Sequence, residues 1–135
     1  MQRLLLDLRG NPGGPLDQAI RVANRFLPRG DLIVYTRGRV PNSDQDYRAT
    51  ENSDYTELPL VVLTNRSSAG ASEIVSGALQ DHDRAVVVGT PTFGKGLVQT
   101  LFPLGEGVAL KLTTARWFTP SGRTIQRTAD SEEDQ

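Results

Sequence analysis

Three short stretches hold residues whose types and spacing could do chemistry. Gly10-Asn11-Pro12-Gly13-Gly14 forces a loop with unusual backbone angles, and glycine leaves bare backbone N–H groups open to an oxyanion. Simple turn chemistry would use the same residues. Ser67-Ser68-Ala69-Gly70-Ala71-Ser72-Glu73 is a run of small residues between an apolar run and a helical face. Such a turn lets a substrate carbonyl come close while the helix start supplies N–H donors. Its plainer reading is a helix start, with Gly70 at the N-cap and Glu73 as the third helical residue. Gly89-Thr90-Pro91-Thr92-Phe93-Gly94-Lys95-Gly96 comes close to a phosphate-binding loop. Gly96 stands where that motif needs a hydroxyl for magnesium, and residues 97–102 read as strand where it needs a helix. Nucleotide binding is therefore not expected.

Composition removes other chemistries. Cysteine is absent, which excludes thiol nucleophiles, disulfides and Cys-based metal sites together. The single histidine, His82, lies between Asp81 and Asp83 after a helical pattern. It reads as a solvated helix-end residue and takes no catalytic role, and one imidazole makes neither a His-rich metal site nor a choice of triads. The 15 basic and 16 acidic residues leave a net charge of -1, so no field attracts nucleic acid or anionic lipid. The longest apolar runs, such as Leu4-Leu5-Leu6 and Val86-Val87-Val88, are far too short to cross a bilayer.

The elements that must position these stretches follow from periodicity. Residues 3–8 are a short apolar run bounded by a turn, the pattern of a strand buried on both faces. Leu16, Ala19, Ile20, Ala23, Phe26 and Leu27 recur at helical steps, so the spacing predicts an amphipathic helix over 16–27, with Pro15 in its first turn. Residues 32–36 read as a strand, and 38–57 as a long polar surface excursion. A second buried strand is expected over 58–64, a helix over 71–79, and a third strand over 84–89. Residues 98–102 and 108–114 read as a hairpin, with Thr119-Pro120-Ser121-Gly122 as a further turn. Trp117 and Phe118 are expected in core or rim packing. This order implies an α/β layer with crossover helices and a β-rich C-terminal part. Residues 1–128 form one domain, and the apolar-free acidic tail 129–135 is expected to be disordered. The first strand begins two residues after Met1, so the chain is expected to be a fragment of something longer. An uncovered edge or apolar face should then drive self-association into homo-oligomers.

Together these stretches resemble the C-terminal processing, or tail-specific, serine peptidases. The resemblance runs from Leu4 to about Gln126 and rests on four segments in order: 6–14, 69–73 with 77–81, 89–96 with Gln99, and 111–123. It implies a Ser-Lys hydrolase with a crotonase-like α/β core, needing no cofactor and no metal. It further implies action on peptide or protein C-terminal segments, location in the periplasm or cell envelope, and an upstream PDZ domain that this sequence lacks. By that resemblance Lys95 matches the general base, whose pKa an apolar, partly closed site must pull down. Gln99 matches the residue that positions it. The backbone N–H of Ala71, with Gly13 or Gly14, matches the oxyanion hole.

The nucleophile position falls between Ala69 and Ala71 and is occupied by Gly70. Glycine has no oxygen with which to form an acyl-enzyme, so this chain is expected to be inactive. Ser68 and Ser72 are displaced along the chain, and a two-residue shift at a helix start turns a side chain by about 200°. The alternative reading is a non-catalytic module that keeps the cleft for peptide binding. Retention of Lys95 and Gln99 favours the peptidase reading, because a binding module needs neither a base nor its positioner.

Overall fold

The computed structural model describes residues 1–127; the tail at 129–135 lies outside the described residues. The elements run β1 (Leu4–Asp7), α1 (Leu16–Asn24), β2 (Leu32–Arg37), β3 (Gln45–Arg48), β4 (Leu60–Thr64), α2 (Ala71–Asp81), β5 (Val86–Gly89), β6 (Leu97–Gly105) and β7 (Val108–Phe118). They form two sheets rather than one layer. β1, β4 and β5 make a parallel sheet in that order, and β3, β2, β7 and β6 make an antiparallel one. The strand at β2 therefore joins the β-rich sheet, not the parallel layer.

Helix α2 is the centre of the core. It packs against α1, β2 and β5, and every residue from Ser72 to Leu79 is buried. So enclosed a helix is rich in apolar residues, here Ile74, Val75, Ala78 and Leu79, and its buried Ser72, Glu73 and Ser76 are each hydrogen-bonded. Helix α1 buries Ala19 and Ala23 against it and stops at Asn24, a turn short of the sequence expectation. Asn24 explains the stop. Its side-chain oxygen accepts the N–H groups of Thr50 and Glu51 at 3.1 and 2.9 Å. The chain then tightens through bonds from Arg25 to Val22 and Phe26 to Ala23, so Phe26 and Leu27 still reach the core.

Three expectations change in the structure. The polar excursion contains β3, paired with β2 from Leu32↔Arg48 to Thr36↔Gln45. Charged residues hid it, because an edge strand with one wet face keeps few apolar positions. His82 does sit at the end of α2, but it is half-buried rather than freely solvated: its Nε2 lies 2.6 Å from the Leu32 carbonyl oxygen, and Nδ1 lies 3.7 Å from Asp31. It ties the end of α2 to β2. Finally, β1 is covered on one face alone: Leu4 and Leu6 pack on the core while Leu5 is 59% exposed. Leu5, Val61 and Val86 lie in register across the outer face of the parallel sheet.

Candidate active site

The glycine loop and the strand-to-helix turn are bonded to each other along their length. Ser68 Oγ donates to the Leu8 carbonyl at 2.7 Å, the Ala69 N–H to Asn11 O at 3.0 Å, and Ser72 Oγ to the same oxygen at 3.0 Å. In return Gly10 N–H donates to Asn65 Oδ1 at 3.0 Å. Ser68 and Ser72 are buried, with both hydroxyls committed to loop carbonyls. At the foot of the loop Arg9 folds back on Asp7 with bonds of 2.9 and 3.0 Å, and holds that carboxyl below its ordinary range.

Gly70 caps α2 with φ 59° and ψ -115°. L side chains rarely adopt this conformation, and it costs them about 1–3 kcal/mol. The space beside it is nevertheless open: a Cβ would meet only the Pro12 carbonyl oxygen, at an ordinary 3.7 Å. Gly13 is the reverse case. Its φ is +99°, and a Cβ there would stand 2.7 Å from Ala69 O and 2.9 Å from Ala71 N. The loop backbone thus rests directly on the turn. Gly13 gives its N–H to Asn11 Oδ1 at 2.9 Å. Among the described residues, no acceptor takes the N–H of Gly14 or of Ala71. The latter belongs to the first turn of α2, where backbone donors lack helical partners.

The loop after β5 brings Lys95 to this place. A cavity of about 160 Å³ is lined by Gly70, Ala71, Gly14 and Lys95, with Pro12, Leu16, Ile74, Leu97 and Trp117 as its apolar wall. Lys95 is exposed. Gln99 does not line the cavity; it sits in β6 and its Nε2 donates to Thr113 Oγ1 at 2.7 Å. Of the six residues expected at the site, four share one cavity, Gly13 backs it, and Gln99 stands apart. Larger hollows of about 400 and 840 Å³ lie elsewhere and contain neither Gly70 nor Lys95.

The sequence places Glu73 third in the helix, within the 69–73 segment, and gives its side chain no role at the site. Glu73, 5% exposed, accepts the Gly70 N–H on Oε1 at 3.1 Å, as a capping box requires. It also accepts the Lys95 N–H at 2.9 Å, the Gly94 N–H at 2.9 Å and the Thr92 hydroxyl at 2.7 Å. This accounts for the near-match to a phosphate loop: Gly94 and Lys95 do bind an anion through their N–H groups, and it is the protein's own carboxylate. No group of three or more His, Cys, Asp or Glu residues able to hold a metal occurs among the described residues. No helix among them is long and apolar enough to cross a membrane.

The α/β domain thus brings a glycine loop, a strand-to-helix turn and a lysine together on one cavity. The chain belongs to peptidase family S41, whose model matches residues 1–133. It is 57% identical over 122 residues to a carboxy-terminal-processing protease of Bartonella bacilliformis, and 46% identical over 123 residues to a carboxyl-terminal-processing protease of Synechocystis sp.. The matches cover 90% and 91% of this chain but 28% of each relative, so the chain spans little more than a quarter of their length. Among solved structures, the photosystem II D1 C-terminal processing protease superposes with a TM-score of 0.84 at 39% identity, over 93% of this chain and 32% of that one. Mature CPAF shares the fold alone, with a TM-score of 0.74 at 14% identity, over 93% of this chain and 37% of the other.

Proposed function

We propose that the cavity between Gly70 and Lys95 is the reaction centre of a serine-type C-terminal processing peptidase, and that this chain holds that centre without its attacking group. The observation that carries the reading is the state of position 70. It has the strained backbone of an exposed nucleophile turn, and open room for a side chain that glycine does not use.

With serine at this position, the roles follow from the neighbours. Lys95 Nζ takes the hydroxyl proton as the oxygen attacks the peptide carbonyl carbon. The N–H groups of Gly14 and Ala71 receive the oxyanion, since Gly13 has already given its N–H to Asn11. Lys95 then passes the proton to the leaving amine, and water hydrolyses the acyl-enzyme. Leu16, Ile74, Leu97 and Trp117 suit an apolar side chain beside the cut bond. Lys95 is exposed, so bound substrate would have to cover it and exclude water from the cavity. Gln99 joins the lysine only if it leaves Thr113 when substrate binds. The core is read as crotonase-like, serving a longer chain whose other parts present extended C-terminal segments.

The test is peptide cleavage by Gly70→Ser, with an unstructured peptide ending in apolar residues. The serine variant should cleave, while Gly70→Ser with Lys95→Ala should not. The unaltered chain should stay at background, because losing the nucleophile costs on the order of a millionfold. Cleavage that survives Lys95→Ala would remove lysine as the base. As the chain stands, glycine leaves a cleft that can bind a peptide and not cut it. Peptide binding without turnover by the unaltered chain would support that second reading.

A further inference from the structure

We propose that Glu73 is a positioning residue that sets Lys95 against residue 70. This rests on the peptidase reading of the cavity, and deepens it.

A buried carboxylate is costly unless its oxygens are satisfied. Glu73 is 5% exposed and, among the described residues, makes no ion pair. Four neutral donors take its place: three backbone N–H groups and the Thr92 hydroxyl. That fills the acceptor sites a carboxylate offers. Capping α2 needs only the bond from Gly70. The other three donors belong to a segment about twenty residues further on, and it is the segment that carries the lysine.

The geometry is specific. One oxygen, Oε1, takes both the Gly70 N–H and the Lys95 N–H, at 3.1 and 2.9 Å. The two backbone nitrogens can therefore lie no farther apart than those two bonds laid end to end. Oε2 holds the residues just before, through Gly94 N–H and Thr92 Oγ1. Glu73 does not line the cavity that holds Gly70 and Lys95; it lines the separate hollow of about 400 Å³ behind the lysine segment. It acts through the backbones on either side. The loop has an independent anchor in the bond from Phe93 N–H to Ser68 O at 3.0 Å, so removing the carboxylate loosens the register without undoing the fold.

The first arm of the test uses the chain as it is, with Gly70. In Glu73→Gln, one oxygen becomes an NH2 group facing donors. Amide hydrogen exchange at Gly70, Gly94 and Lys95 should accelerate together by about tenfold or more, while Phe93 and the β4 amides keep their protection. Unchanged exchange at those three amides overturns the proposal. The second arm uses Gly70→Ser. There Glu73→Gln should lower kcat by about 10- to 100-fold with KM within about twofold. Glu73→Asp, too short to span both segments, should not restore it. Unchanged kcat overturns the proposal, as does a loss seen in KM alone. If Gly70→Ser itself fails to cleave, the peptidase reading fails, and the exchange arm still decides the role of Glu73. If Glu73→Gln does not fold, Thr92→Val removes one donor and leaves the carboxylate. Gly94 and Lys95 should then exchange about threefold faster, and no change overturns the proposal.

Discussion

A methyl group on Gly13 would stand 2.7 Å from the carbonyl oxygen of Ala69, so the glycine loop touches the turn before α2 backbone to backbone. Gly14 and Gly70 line the cavity on either side of this seam.

Gly13→Ala should therefore destabilise the chain by about 2 kcal/mol or more, from the clash and from a φ of +99°. Gly14→Ala meets nothing within 4 Å and should stay within about 0.5 kcal/mol of the parent. Thermal unfolding compares the two. Equal losses would mean that the loop does not rest on the turn.

The serines beside position 70 are structural. Ser68→Ala removes a buried hydroxyl that donates to Leu8 O and accepts the Asn65 N–H, and should cost about 1–3 kcal/mol. Ser67 is exposed, and Ser67→Ala should be near neutral. Chemical denaturation reads both. A neutral Ser68→Ala would free that hydroxyl for another role.

Much of the site was legible because its parts are local. The switch from β to helical periodicity marks the turn at Gly70, and the glycines mark the loop. What sequence could not give is how distant segments face each other. Nothing around Glu73 announces that its carboxylate binds Gly94 and Lys95, since both donors are backbone groups with no residue signature. Gln99 shows the opposite limit: its spacing from Lys95 is right, yet β6 turns it toward Thr113. β3 escaped because Gln45, Asp46 and Arg48 read as loop. The apolar run of β1 reads as two-faced, whereas the described residues cover one face.

Asp81 supplies a pH dependence. Burial pushes its carboxyl up, but hydrogen bonds from Thr119, Ser121 and Arg123 outweigh it and hold the group below the ordinary 3.8. A lowered folded pKa gives stability that is fully present above 3.8 and is lost as pH falls through the folded value. Asp81→Asn should cost about 1–2 kcal/mol near neutral pH, with the gap closing in acid. Melting curves from neutral pH to pH 2 measure it. A gap that holds constant into acid would show that the charge contributes nothing.

The outer row of Leu5, Val61 and Val86 should bring copies of the chain together. Leu5 and Val86 are 59% and 63% exposed. Light scattering should show dimers or larger species that Val86→Lys disperses. A monomer at high concentration would show that the row does not self-associate.

The last prediction separates strain from chemistry at position 70. The backbone there favours glycine, yet a Cβ meets only ordinary contact with Pro12 O. Gly70→Ala and Gly70→Ser should therefore both lower stability by about 1–3 kcal/mol, and by nearly equal amounts. The hydroxyl adds nothing to the folded state; its value lies in what it can attack. Only the serine variant should take a fluorophosphonate label, and Lys95→Ala should suppress that labelling. Serines 68 and 72 should stay unlabelled throughout, because their hydroxyls are buried in bonds to the loop. Two outcomes would count against this account. If Gly70→Ser is as stable as the parent while Gly70→Ala is not, the hydroxyl has found a structural partner and is not free to react. If the parent chain labels as well as the serine variant, the reactive group lies elsewhere. A strained turn that tolerates a side chain in space but not in backbone energy is the form a nucleophile position takes when its reactive atom must project into the cleft. The same strain explains why glycine settles there without disturbing α2, the glycine loop or the lysine segment.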